Sequence, residues 1–255
     1  MMKTSSPFGV FRFKRLLLAL AFLAAGVALP AADDKPNIVL ILADDLGYNE
    51  LSCYGQTMFE TPHIDQLAAQ GMRFTDFYAG NTVCGPSRAS MWTGRHPGNA
   101  TVRGNHGLYR REPMTLNRLG LQIDERTIGE VLQERGYKTA LCGKWHMEFF
   151  DDHTTTWPIN RGFDYVIRER WNVHLNAARN AYREETGVIF DYNYPYELWE
   201  NGERVVFDGN IDGHRKHLMD DIVVEKGMQF IQDHHEDPFF VCFSLKIPHN
   251  PETFA

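Results

Sequence analysis

A cysteine four positions ahead of an arginine opens the stretch CGPSRASMWTGR, which runs from Cys84 to Arg95. Proline is frequent in the first turn of a helix, because its missing N–H needs no partner there. With Pro86 at the first helical position, Gly85 would be the cap and Cys84 would lie just outside the helix. The free N–H groups and the dipole at that end favour an anion or a developing negative charge. The spacing therefore predicts a reactive cysteine, with Arg88 close by in the first turn.

Three further clusters of polar residues follow apolar, strand-like runs. They are Asp44 and Asp45 after NIVLIL, Lys144 and His146 after YKTALC, and Lys246 and His249 after PFFVCFS. Lys144 and His146 are two apart at a strand end and would point the same way. Adjacent carboxylates are hard oxygen ligands for a divalent cation, although such pairs also form turns and helix caps. Because α/β folds place their sites beyond the carboxyl ends of strands, we expect the clusters to share one site, with Lys246 as a structural or peripheral residue.

The elements that must position these residues alternate between strand and helix. The run NIVLILADDLG predicts a buried parallel strand. A helix is predicted in TPHIDQLAAQG, with Thr61 as N-cap, Pro62 first and Gly71 as terminator, and MRFTDFYA resembles another strand. The capping-box spacing of Thr127 and Glu130 predicts a second helix. The alternation predicts an α/β fold with a largely parallel, mixed central sheet and helices on both faces.

A segment from about residue 150 to 215 interrupts this alternation. Its aromatic residues include Trp157, Tyr165, Trp171, Tyr192, Tyr194, Tyr196 and Trp199. Such a segment forms either the packed interior of a lid or a platform for sugar rings, and we favour packing. We treat it as an insertion within one domain of residues 33–255.

Residues 1–32 have the pattern of a secretory signal peptide. Four basic residues precede an apolar run from Leu16 to Leu29, and small residues follow it. We therefore expect a secreted or periplasmic protein without a membrane anchor after cleavage. Residues 1–32 hold four positive charges and no negative one, so the remaining 223 residues carry a net charge of −11. Such an acidic chain is a poor partner for nucleic acid, and an anionic substrate would need a local cluster of cations.

The four cysteines are Cys53, Cys84, Cys142 and Cys242. An even number in an exported chain permits two disulfides. Cys142 and Cys242 lie in apolar, strand-like runs, where a free cysteine behaves as a small hydrophobic residue. We favour buried thiols over bridges.

The cysteine motif has two interpretations. A thiolate phosphatase would use such a cysteine as its nucleophile, but its phosphate loop has five residues between Cys and Arg, whereas three separate Cys84 from Arg88. The pattern C-x-P-S-R followed by T-G-R resembles the type I sulfatases, the formylglycine-dependent family within the alkaline-phosphatase-like superfamily. The stretches ADDLGYNELSCYG, TPHIDQLAAQG, GKWH, RGFDY, LWENGE and PFFVCFSLKIPHNP extend this resemblance from about residue 36 to 251.

The resemblance implies that a formylglycine-generating or maturase enzyme oxidises Cys84 to formylglycine. The hydrated aldehyde would hydrolyse the sulfate ester of a small molecule or glycan by nucleophilic catalysis. By the same resemblance, Arg88 holds the modified residue, Lys144 contacts it and the sulfate, His146 takes a proton, and His249 contacts the leaving oxygen. The implied metal is Ca²⁺, bound by Asp44, Asp45 and modified Cys84.

Two alternatives to a working sulfatase remain open in the sequence. The same scaffold can serve a phosphonate or phosphate-ester hydrolase, or the chain can be an inactive truncated product. Calcium takes six to eight oxygens, and the family supplies further ligands and a lysine after the position of His249. We therefore expect residues 33–255 to be the N-terminal part of a sulfatase catalytic domain, truncated at its C-terminus, with further calcium ligands beyond residue 255 and doubtful activity alone.

Overall fold

The structure is a computed structural model, and it describes residues 35–109, 115–118, 120–148, 155–170, 184–187 and 193–249. The described residues from Asn37 onward belong to one compact unit. The predicted signal peptide lies outside the described residues, and so do Trp171 and Tyr192 of the aromatic-rich segment. Among the helices in the described part of the chain, none is long and apolar enough to cross a membrane.

The described strands form a six-stranded sheet and a separate two-stranded one. In chain order they are β1 (Ile38–Asp44), β2 (His106–Tyr109), β3 (Thr115–Arg118), β4 (Lys138–Gly143), β5 (Tyr165–Arg168), β6 (Glu197–Glu200), β7 (Glu203–Val206) and β8 (Phe239–Pro248). The large sheet has the order β1-β8-β4-β5-β6-β7, and β2 pairs with β3. The strands β1, β8, β4 and β5 are parallel, whereas β6 and β7 add antiparallel pairs. The predicted largely parallel, mixed sheet is confirmed.

Helices and short 3₁₀ turns connect the strands in the described part of the chain. The helices are α1 (Pro62–Gln70), α2 (Cys84–Thr93), α3 (Ile128–Glu134) and α4 (Met219–Asp233), and the turns are Tyr48–Glu50, Ser52–Tyr54, Pro158–Asn160 and Asp208–Gly213. Helix α1 has the predicted cap at Thr61 and ends before Gly71. The predicted capping box of α3 is present, since the Thr127 N–H donates to Glu130 Oε2 at 2.7 Å and the Glu130 N–H donates to Thr127 Oγ1 at 3.1 Å.

Helices cover both faces of the large sheet, as predicted. On one face, Trp92 of α2 and the neighbouring apolar residues pack with Leu141 of β4 and Phe240 of β8. On the other face, Val223 and Phe230 of α4 belong to a second buried cluster. Burial of these side chains, worth about 1.5–3 kcal/mol each, fixes the sheet and therefore the strand ends that carry the polar clusters.

Two expectations about the first third of the chain are wrong. Strand β1 is parallel as predicted, but it lies at the edge of the sheet, and Val39 and Ile41 are 49% and 61% exposed. The segment MRFTDFYA is not a strand, and Phe77 and Tyr78 within it are exposed. An apolar pattern becomes a strand only where a neighbour supplies ladder hydrogen bonds. Within the described residues, no strand pairs with this segment or with the outer side of β1.

The four cysteines all lie in the described part of the chain and are free thiols, as favoured from the sequence. Cys142 and Cys242 are fully buried in the sheet. Burial raises the pKa of the Cys242 thiol to about 12, and it raises the pKa of Cys142 as well. Both side chains therefore remain neutral thiols and fill core volume.

The described parts of the aromatic-rich segment contribute β5, β6 and β7 to the sheet. Trp157 and Trp199 meet edge to face with ring centroids 6.1 Å apart. The guanidinium of Arg170 lies 4.8 Å from each of these two rings. These contacts fit the packing interpretation of the segment.

Candidate active site

The ends of three neighbouring parallel strands form the centre of the candidate site. Asp44 is the last residue of β1, Lys144 follows β4 directly, and Ser244 lies in β8 between them. The strands approach closely here, because Gly143 has a φ of 114° and a Cβ on it would lie 2.1 Å from the carbonyl oxygen of Ser244. Only glycine fits this position. The Lys144 N–H then donates to the same carbonyl at 2.9 Å.

A buried ion cluster connects these strand ends to α2. The Asp44 carboxylate accepts from Arg88 Nη2 at 3.2 Å and, through its other oxygen, from Lys144 Nζ. Arg88 Nη1 donates to the Lys144 carbonyl at 2.7 Å and to Ser244 Oγ at 2.6 Å. The side chains of Asp44, Arg88 and Lys144 are 3–7% exposed.

Within this cluster two cations face one carboxylate. Burying a charge is costly unless an opposite charge compensates it. Arg88 and Lys144 together exceed the charge of Asp44 by one unit, so the buried cluster itself favours an additional anion. The local group of cations that the acidic chain requires for an anionic substrate is therefore present.

Trp145 anchors the loop that carries the next two predicted site residues. Its side chain is 1% exposed and packs against Trp92 and Phe163, with ring centroids 5.2 and 5.8 Å away. Its indole N–H donates to the carbonyl oxygen of Thr156 at 2.8 Å. The tryptophan of the GKWH motif is thus part of the core and holds the residues on either side of it in place.

His146 is buried, but it does not lie on the strand as predicted. Strand β4 ends at Gly143, and His146 has a φ of 63° in the loop that follows. Side chains alternate in direction only along a strand. The strand pattern therefore gives no reason for Lys144 and His146 to point the same way. A left-handed conformation at a non-glycine residue costs on the order of 1–3 kcal/mol, and residues strained in this way cluster at active sites and ligand clamps. Of the three such residues in the described part of the chain, His146 and Asp45 are predicted site residues.

Asp45 and His249 lie close together at the rim of the cluster. Asp45 Oδ2 is 3.6 Å from His249 Nε2, and the two side chains are 59% and 26% exposed. The backbone N–H of His249 donates to the Lys246 carbonyl at 2.9 Å. The Asp45 side chain therefore lies beside the loop after β8.

The helix that carries Cys84 begins two residues earlier than predicted. Helix α2 starts at Cys84 itself, and its N-cap is Val83 in an extended conformation. Pro86 occupies the third helical position, where an N–H would also have no intrahelical partner, so the proline fits there equally well. Cys84 is still at the positive end of the helix dipole. Its Sγ lies 3.5 Å from Nδ2 of Asn105, a residue to which the sequence assigned no role.

The structure meets part of the requirement for calcium. Asp44 and Asp45 have suitable carboxylate oxygens, but six to eight oxygens are needed. Both Asp44 oxygens also face cations. In the described ranges there is no group of three or more His, Cys, Asp or Glu side chains that could hold a metal ion. Asp44 and Asp45 are carboxylates of the type that calcium prefers, and their role as ligands, like that of Cys84, stays a prediction.

Lys246 supports the loop instead of joining the ion cluster. Its Nζ is 2.9 Å from Glu169 Oε2, in a buried contact. The carboxylate of Asp220, in the first turn of α4, accepts the backbone N–H groups of Lys246 at 3.0 Å and Ile247 at 2.9 Å. Burial raises the pKa of Asp220, although these two N–H groups oppose the rise. The interactions hold the chain just before His249.

Sequence reasoning assigned no role to Ser244, Asn105 or Asp220. Ser244 had one local signal, since it is a hydroxyl in the otherwise apolar run PFFVCFSL. Its hydroxyl accepts from Arg88 and donates to the Lys144 carbonyl at 2.7 Å. Asn105 and Asp220 had no comparable signal, because their partners are 20 or more residues away.

Comparison with known proteins agrees with the motifs. A family model described as "Sulfatase" matches residues 36–255. The chain is 34% identical over 220 residues to an arylsulfatase of Hemicentrotus pulcherrimus, covering 84% of this chain and 37% of that protein. It is 32% identical over 243 residues to the N-acetylgalactosamine-6-sulfatase of Canis lupus familiaris, covering 93% of this chain and 44% of the relative.

A solved structure shares the fold as well. The structure of BT4656 in complex with its substrate D-glucosamine-2-N,6-O-disulfate superimposes with a TM-score of 0.60 at 28% identity, covering 85% of this chain and 35% of that one. The chain spans less than half the length of these relatives.

Proposed function

Because the chain belongs to the sulfatase family, we propose that this protein hydrolyses sulfate esters. The observation that carries the proposal is the buried ion cluster, in which Arg88 and Lys144 share the single carboxylate of Asp44. A sulfate group brings the negative charge that this cluster lacks. The cluster follows the carboxyl ends of β1 and β4, where α/β folds bind their ligands.

Cys84 is the proposed nucleophilic position. A formylglycine-generating or maturase enzyme would oxidise it to formylglycine, which as a hydrated aldehyde offers one hydroxyl to attack sulfur and a second to expel sulfate. The start of α2 supports this role, because the helix dipole favours the negative charge that develops there.

The other side chains bind the sulfate and move protons. Lys144 would contact the sulfate and residue 84, and Arg88 would hold residue 84 and offset charge. His146 would take a proton from residue 84 when sulfate leaves, and His249 would contact the oxygen of the departing alcohol.

A calcium ion is the proposed metal. Asp44 and Asp45 would supply two of its ligands, and the ion would polarise the bound sulfate. In its presence Asp44 would divide its oxygens between the metal and the two cations that now face it.

The proposed substrate is an aryl sulfate or a carbohydrate sulfate. This choice follows the similarity to an arylsulfatase, to an N-acetylgalactosamine-6-sulfatase and to a protein solved with D-glucosamine-2-N,6-O-disulfate. The signal-like pattern of residues 1–32 supports export to the periplasm or the medium.

The test is a comparison of esters on the full-length protein, produced together with a formylglycine-generating enzyme. We expect hydrolysis of p-nitrophenyl sulfate, with p-nitrophenyl phosphate and a phosphonate ester much slower. Peptide mass spectrometry should show Cys84 converted from thiol to aldehyde. Preference for the phosphorus esters would contradict sulfate as the substrate, and full activity with an unmodified thiol would contradict the nucleophile.

A further inference from the structure

Asn105 is in contact with the proposed nucleophile, although 21 residues separate the two. It lies in the loop between α2 and β2, and its side chain is half-buried. Its Oδ1 accepts the backbone N–H of Gly85 at 2.8 Å. Its Nδ2 and Oδ1 lie 3.5 and 3.6 Å from Cys84 Sγ. The amide therefore touches both the helix end and the reactive side chain.

The orientation of the amide follows from its partners. The backbone N–H of Gly85 can only donate, so the carbonyl oxygen of Asn105 must face it. The NH₂ group is then left to donate to the side chain of residue 84. This assignment needs no assumption about the protonation of the cysteine, because the Gly85 N–H alone decides which end of the amide is which.

The glycine of the CGPSR stretch permits this approach. A Cβ on Gly85 would lie 2.8 Å from Asn105 Oδ1 and 3.4 Å from the Gly104 carbonyl oxygen. Any larger residue at position 85 would push the loop away from α2. The contact is therefore a feature of close packing between the helix end and this loop.

We propose that Asn105 is a positioning residue for the nucleophile, and that its NH₂ group donates a hydrogen bond to the oxygen that replaces sulfur on residue 84. This inference rests on the proposed function. A fixed donor next to the hydrated aldehyde restricts the rotation of residue 84, so that one of its hydroxyl groups faces the sulfate. Loss of that restriction lowers the rate of the chemical step more than it weakens substrate binding.

The first test separates donation to residue 84 from capping of α2. Asn105→Ala removes both interactions, whereas Asn105→Asp keeps an oxygen for the Gly85 N–H and removes the donor. We expect kcat for p-nitrophenyl sulfate to fall about 100-fold in Asn105→Ala, the loss typical of one catalytic hydrogen-bond donor, with KM changed less than kcat. Asn105→Asp should recover thermal stability, because it restores the cap, but not kcat. Recovery of wild-type kcat by Asn105→Asp would show that Asn105 is only a cap.

Two controls accompany these variants. Mass spectrometry must show equal conversion of Cys84, so that a lower kcat does not reflect failed modification. Asn210→Ala is the matched variant for stability, because Asn210 is a buried asparagine that donates to Pro195 and His217 and accepts two backbone N–H groups. It should lower the melting temperature without lowering kcat.

The second test does not depend on sulfatase activity. In unconverted protein, the reaction of the Cys84 thiol with iodoacetamide should be at least several-fold slower in Asn105→Asp, because the thiolate loses a donor and gains a negative neighbour. If the wild type hydrolyses no sulfate ester, the proposed function is wrong. The alkylation experiment still tests whether Asn105 forms a hydrogen bond with residue 84. An unchanged alkylation rate would overturn the proposed hydrogen bond.

Discussion

Two clusters of charged side chains on the same sheet differ in burial and in charge. At the carboxyl ends of β1 and β4, Arg88 and Lys144 share the carboxylate of Asp44, and all three side chains are buried. Between β5, β6 and α4, Glu200 accepts from the Tyr165 hydroxyl at 2.7 Å and from Lys226 Nζ at 2.9 and 3.0 Å. Here one carboxylate faces one cation, and the Lys226 side chain is 41% exposed.

The two clusters therefore fit different roles. The first fits a site that binds a ligand, and the second joins α4 to the sheet. A balanced, partly exposed pair needs no further partner, and its contribution to stability is about 0–1 kcal/mol. A buried cluster with an extra cation is not optimal for stability alone. Proteins retain such locally unfavourable arrangements where function requires them. The extra positive charge fits the binding of an anionic substrate.

Asp44→Ala should produce the largest loss of stability. It leaves Arg88 and Lys144 as two buried cations without their shared carboxylate, and removal of one partner from a buried ion pair costs about 3–5 kcal/mol. Urea denaturation of the whole chain measures this directly. A loss of unfolding free energy below about 1 kcal/mol would mean that water reaches the cluster and screens its charges.

Lys144→Met should affect activity far more than stability. The remaining pair of Arg88 and Asp44 is balanced, and methionine preserves most of the side-chain volume, so we expect unfolding free energy to change by no more than about 1 kcal/mol. Hydrolysis of p-nitrophenyl sulfate should fall about 100- to 1,000-fold.

Lys226→Met is the matched control from the second cluster. It also removes an ion-paired lysine and should leave hydrolysis unchanged. Equal effects of the two substitutions on hydrolysis would remove the distinction between the clusters.

The sequence indicates the first cluster because its residues follow predicted strands. The carboxyl ends of parallel strands share one edge, so Asp44 and Lys144 could be expected to meet although 100 residues separate them. Ser244 could not be added in this way, because its contact with Arg88 depends on the register between β8 and β4. No role could be assigned to Asn105 from the sequence, because an irregular loop brings it to Cys84.

The errors in the sequence analysis have a common physical cause. The run MRFTDFYA has the composition of a strand, yet pairing with a neighbour decides whether a strand forms. The start of α2 was placed two residues late because Val83 caps it through backbone geometry alone, without a side-chain hydrogen bond. In both cases the interaction that decides the structure cannot be recognised from the local residue types.

Asp220→Asn tests how the loop with His249 is held, and its effect should be intermediate. The amide retains one oxygen for the backbone N–H groups of Lys246 and Ile247 and turns an NH₂ group towards the other. A buried N–H that loses its acceptor costs about 1–3 kcal/mol. We expect that loss of stability together with a lower kcat, because His249 follows directly. An unchanged kcat with lowered stability would restrict Asp220 to a structural role.

Tyr165→Phe should have the smallest effect, and its pH dependence tests the second cluster. Burial alone would raise the pKa of Glu200, but the hydrogen bonds from Tyr165 and Lys226 outweigh it and lower the pKa. A lowered carboxyl pKa contributes stability above the pKa of the unfolded chain, and this contribution disappears as the pH falls through the folded value. The phenylalanine variant should therefore be about 1 kcal/mol less stable than the wild type at pH 7, and the difference should shrink when both proteins are unfolded in urea near pH 3. A difference that stays constant over this range would show that the tyrosine hydroxyl does not favour the ionised form of Glu200, and that the cluster is held by packing alone.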